Sequence, residues 1–138
     1  MMHMILNTFP ELLTYGILSP FILRVVLGII LINLGVLKLT SEKQSWEKLF
    51  ETIKLSPAKI FVKIIAFIEV IGGAMLLLGA YTQITAIILS VLFFCEAILE
   101  YRESSIEKRN FTFYILMFSI SLSLVFLGAG AFALDFPL

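Results

Sequence analysis

Four ionisable side chains lie in or beside stretches built otherwise from Leu, Ile, Val and Phe: Arg24, Lys38, Glu69 and Glu96. Charge is costly in hydrocarbon, so such residues usually face the protein interior and mark ion pairs, ligand pockets or proton paths. Arg24, Gly28, Gly35 and Lys38 fall within about 80° of one another at 100° per residue, a single helical stripe. The glycines in that stripe let a second backbone approach closely. Asn33 falls on the opposite side of the same helix, to face a partner or bond within the bundle. Glu69 shares a face with Gly72 and Gly73 and lies roughly 14 Å inside a core of roughly 30 Å.

A midplane carboxylate needs a partner, and Arg24 on the antiparallel neighbour is the expected one. Two chemistries fit that pair. One is a buried salt bridge that sets helix register; the other, compatible with it, is a polar recess that takes the headgroup of a lipophile such as a quinone or carries protons. Glu96 is expected near the membrane surface, where it would snorkel with Lys38 and Lys63. Ser119 and Ser123 are one turn apart and can bond to their own helix. Cys95 reads as a small buried hydrophobe. One Cys and one His (His3) in the whole chain exclude an internal disulfide framework, a CxxC redox pair, a zinc cluster and a bis-His haem. No cofactor-binding motif is recognisable.

Elements that could hold these residues follow from composition. The 138 residues are one domain's worth, 60% apolar and only 14% charged, with a mean hydropathy of +1.06. Soluble domains carry about 25% charged residues. Ten basic residues balance ten acidic ones, so nothing points to nucleic acid. Four apolar stretches predict membrane spans at about 17–37, 60–78, 82–99 and 111–127. Spans two and three are separated only by Gly79–Tyr81 and must form a tight antiparallel hairpin. Transport is disfavoured, because the broken spans and inverted repeats of transporters are missing.

Between spans one and two, Ser41-Glu42-Lys43-Gln44 has capping-box spacing, followed by Trp46, Leu49, Phe50 and Ile53 on one face. This predicts an amphipathic helix lying in the membrane interface, with Trp46 anchored at headgroup level. A second short helix is expected from Thr8 to about Ser19-Pro20. Lys and Arg cluster in 38–59 and 100–110, which places both loops in the cytoplasm and both termini outside. The start lacks a basic n-region and an A-x-A site, so no cleaved signal peptide is expected.

These pieces, in this order, resemble the DoxX family of small prokaryotic membrane proteins. Leu23-Arg24-Val25-Val26-Leu27-Gly28 and Gly35-Val36-Leu37-Lys38-Leu39 are similar to its LRxxLG and GxxKL segments. Leu55-Ser56-Pro57 stands where the family often has a GLP-like turn. Glu69-Val70-Ile71-Gly72-Gly73, with Gly79 beyond it, is similar to its ExxGG segment, and Gly128 to Asp135 to its GxGxxSLD ending. Two departures remove polar groups: Leu34 replaces a histidine found in many members, and Ala133 replaces the serine of the last motif.

The resemblance implies an all-α integral membrane four-helix bundle in a prokaryotic plasma membrane, with the interfacial amphipathic helix between spans one and two. It implies a subunit or partner in quinone- or thiol-linked redox metabolism, with quinone as the possible cofactor. Arg24, Lys38, Glu69 and Asp135 would line the polar site, and Gly28, Gly35, Gly72 and Gly73 would pack the helices. No residue set here carries electrons alone, so a quinone or a redox partner protein must supply that capacity. The alternative is a non-catalytic scaffold or lipophile-binding module. Partners expected on either reading are the lipid bilayer and a second copy or another membrane protein.

Overall fold

Each apolar stretch is apolar on every face and folds as a helix because, away from water, a helix satisfies its backbone N–H and C=O groups within the segment. A computed structural model describes residues 9–102 and 110–135. The helices are α1 (Leu18–Leu39), α2 (Lys43–Thr52), α3 (Ala58–Leu78), α4 (Thr82–Arg102) and α5 (Phe111–Leu127), with a single 3-10 segment at Pro10–Tyr15 before them. The described residues contain no strand. Three helices, α1, α3 and α4, are long and apolar enough to cross a membrane, and α5 is a shorter apolar helix of 17 residues.

Buried stripes make the core. On α1 the stripe is Arg24, Leu27, Gly28, Leu31, Leu34, Gly35 and Lys38. On α3 it is Val62, Ala66, Glu69, Gly72, Gly73 and Leu76, and on α4 Ala86, Leu89, Phe93, Glu96, Ala97 and Glu100. Tyr114, Met117, Ser121 and Leu124 complete it from α5. The opposite faces are apolar and exposed, for example Ile22, Val26 and Ile29 on α1 and Phe67 and Ile71 on α3. In a molecule of this composition those faces meet lipid, as in a multi-pass membrane protein.

α1 packs antiparallel on α3, and glycine sets their distance. A Cβ on Gly28 would stand 2.8 Å from the Gly73 carbonyl oxygen, and one on Gly35 would stand 2.7 Å from the Ala66 oxygen. The register therefore puts Arg24 level with the Gly79 end of α3 and Lys38 near Val62. Gly72 turns the other way, towards Leu89 of α4.

Several local expectations are corrected. α4 runs on to Arg102, because Glu100 is also drawn into the core. The capping box does not form: the residue before α2 is Glu42, with no side-chain cap bond. Its carboxylate instead accepts a hydrogen bond from Trp46 Nε1 at 3.3 Å. Trp46 is turned inward with Leu49 and Phe50, and only 1% of it is exposed. Cys95 is exposed, because Phe93, Glu96 and Ala97 hold the inner stripe of α4. The second short helix is a 3-10 segment that stops at Tyr15. His3, Thr8 and residues 103–109, including Lys108 and Arg109, lie outside the described residues.

Candidate functional site

A helical side chain leaves its backbone tilted toward its own N-terminus. Across an antiparallel pair, that tilt decides which charges can meet. Lys38, near the end of α1, reaches back up the bundle, while Glu69 of α3 reaches down to meet it. Arg24, near the start of α1, is carried the same way as Lys38, which at its position leads out of the end of the bundle and away from Glu69. The expected Arg24–Glu69 pair is therefore absent, and the polar residues form two clusters at opposite ends of α1.

In the first cluster the Lys38 ammonium donates to a carboxylate oxygen of Glu69 and to one of Glu96. Three helices thus meet at one cation. Exposure is 1% for Lys38, 0% for Glu69 and 2% for Glu96. The Trp46 ring closes the cluster from α2, with Lys38 Nζ 4.3 Å from its centroid. Indole is the strongest of the aromatic faces for a cation. Glu96 is therefore no snorkelling interface residue, and Lys63, expected beside it, is exposed. Its second oxygen, Oε2, is buried without a hydrogen-bond partner among the described residues. Glu100, one turn further along α4, is buried as well.

This cluster can handle protons. Two carboxyls share one ammonium, so the fully ionised trio carries net negative charge in a dry place, whereas one added proton makes it neutral. Ser119 and Ser123 take no part. Their hydroxyls donate to Ile115 O and Ser119 O on their own helix.

The second cluster ties down the chain's C-terminal stretch. Arg24 Nη2 donates to the Ala131 and Phe132 carbonyls, at 3.0 Å each. The guanidinium fills the space beside Gly79, where a Cβ would fall 1.6 Å from Nη1. Gly79 also closes α3 in the left-handed conformation (φ 70°), so glycine is required there twice over. The amides of Leu134 and Asp135 donate to Leu78 O and Gly79 O. Asp135 accepts from the Tyr81 amide at 2.7 Å and the Thr82 amide at 2.6 Å, capping α4 from outside its own helix. Residues 128–135 thus form a strap across this end of the bundle.

Burial pushes the Asp135 carboxyl up, but the Thr82 and Tyr81 amides, with the Arg24 charge, outweigh it and hold the group below its ordinary value. The strap's stability from Asp135 is then complete above about pH 4 and is lost as pH falls through the lowered native value. Pepsin digestion across the acid range should cut the strap only below that point. Asp135→Ala should expose it at every pH, with about 0.5–2 kcal/mol of stability lost as for other caps. Equal cleavage of both proteins throughout would contradict the capping role.

Of the expected polar-site residues, Lys38 and Glu69 meet each other, while Arg24 and Asp135 each fasten the strap through separate partners. Glu96 and Trp46 join the first pair, although the sequence reading gave neither a place in the polar site. Their signal was present: Glu96 continues the three-four spacing of α4's buried residues. A family model, DoxX, matches residues 19–99, a stretch that carries Arg24, Lys38, Glu69 and Glu96 and stops short of the strap. No curated protein and no solved structure matches the chain. With most of its length under that match, and with long apolar helices arranged around a buried charge cluster, the chain belongs to the DoxX family of membrane proteins.

Proposed function

We propose that the chain is a membrane subunit or partner protein in quinone- or thiol-linked redox metabolism, with Lys38, Glu69 and Glu96 as its proton-handling element. The observation that carries this reading is the second carboxyl. A register-setting salt bridge needs one acid and one base, whereas a buried base with two acids has room for an exchangeable proton. Reduction of a quinone or a disulfide consumes protons as well as electrons. The electrons belong to the quinone or the partner, and no group of this chain carries them.

On the same reading α5 is a fourth span and α2 lies at the membrane interface. The basic segments 38–59 and 100–110 face the cytoplasm of a prokaryotic cell, with both termini outside. Gentle purification from native membranes tests it: a quinone in the lipid extract or an accompanying redox protein is expected. Glu69→Gln should reduce the associated redox turnover by about a hundredfold, the lower part of the range for a positioned proton-transfer group. Neither quinone nor partner, with unchanged turnover in Glu69→Gln, would overturn the reading.

A second reading, a scaffold or lipophile-binding module, draws on a different observation. An apolar crevice of about 420 Å³ opens between α3 and α4, lined by Phe67, Ile71, Gly72, Met75, Thr85 and Ile88 among others. For this reading, Glu69→Gln lowers the melting temperature in detergent and leaves every redox assay untouched.

A further inference from the structure

Asn33 is exposed on α1, six residues before the helix ends at Leu39. At 1.5 Å per residue this is about 9 Å inside, farther than a short carboxamide can reach toward water. The serines exposed on α5 satisfy their hydroxyls within that helix. The Asn33 side chain has no hydrogen bond among the described residues, which leaves its two N–H donors and its carbonyl facing hydrocarbon. Its neighbours on that face are Ile22, Val26, Ile29 and Val36, all exposed. With Asn33 they are spaced four, three, four and three residues apart, the seam of two helices packed at a shallow left-handed angle. The four apolar members are β-branched, so they lose little side-chain freedom on packing.

We infer that this face of α1 is the interface with a second copy of the chain, closed by a hydrogen bond between the two Asn33 side chains. A carboxamide carries donor and acceptor together and is complementary to itself. Copies inserted in the same direction, related by an axis along the membrane normal, bring the two amides to the same depth without further adjustment. A different protein would need a polar group placed at that depth on its own account. Lipid offers none. The inference is independent of the redox reading and requires only that α1 crosses the bilayer.

Cysteine cross-linking in native membranes tests it, and the native chain is its own control. Cys95, on the exposed face of α4, is off the seam and should give no disulfide-linked dimer on oxidation. With Cys95→Ser, a single cysteine introduced by Ile29→Cys or by Val36→Cys should give a dimer of two chains, while Phe67→Cys on α3 should not. In vesicles, Asn33→Leu should weaken self-association about five- to thirtyfold, and Asn33→Gln should keep most of it. The seam and control variants change exposed side chains only, so cross-linking reads on folded protein. Cross-linking of Cys95 or Phe67→Cys at the rate of the seam positions, seam adducts to a different protein, or undiminished association of Asn33→Leu would each overturn the inference.

Discussion

Lys38→Met is expected to be the most damaging single substitution in the chain, costing about 3–5 kcal/mol, as for removal of one partner from a buried charge cluster. The ammonium pairs with both Glu69 and Glu96, and the Trp46 face above it is suited to a cation. Methionine has similar length and volume, so the loss is electrostatic and not a cavity. Rescue separates this account from simple packing. Adding Glu69→Gln and Glu96→Gln to Lys38→Met removes both orphaned carboxyls and should recover most of the melting temperature in detergent. Arg24→Met, by comparison, should free the strap and leave the cluster intact. A Lys38→Met protein that melts with the native one would show that the cluster does not hold the three helices.

The second large effect is expected where α1 and α3 touch backbone to backbone. In Gly73→Ala the new methyl would fall 2.7 Å from Gly28 O and 2.8 Å from Ile32 Cγ1. In Gly35→Ala it would fall 2.5 Å from Val70 Cγ2 and 2.7 Å from Ala66 O. A carbonyl oxygen inside a helix cannot step aside alone, so the helices must separate along their whole contact. Overpacking of this kind costs about 1–3 kcal/mol. The adjacent Gly72→Ala is the sensitive comparison. Its methyl would meet only the end of the Leu89 side chain, at 3.2 Å, and that end can rotate. Thermal melts should therefore rank Gly72→Ala well above both Gly35→Ala and Gly73→Ala. If the two adjacent glycines respond alike, close approach of α1 to α3 is not what sets their importance.

Both effects begin in residues that are visible in the sequence as oddities: glycines within apolar helices, and charges within the same stretches. Periodicity alone put Arg24, Gly28, Gly35 and Lys38 on one face of α1 and Glu69 beside Gly72 and Gly73, and the structure buries that face. The hairpin at 79–81 and the range 111–127 were likewise legible, because Gly79 and Gly128 end apolar runs sharply. Trp46, Leu49 and Phe50 were correctly grouped on one face of an amphipathic helix. What they covered was not legible, because amphipathicity states that a face is apolar and not whether lipid or protein lies against it.

The sequence by itself determined the class of the molecule, the positions of its apolar helices and which side of α1 and α3 turns inward. These depend on hydropathy and a 3.6-residue period, both local properties. Only the tertiary structure decided the partners. Axial register between α1 and α3, together with the tilt of side chains toward each helix's N-terminus, sent Lys38 to Glu69 and Glu96, and Arg24 to the strap that Asp135 fastens. A shift of one turn in that register would join different charges with no change in any helix, and nothing local to the chain records it.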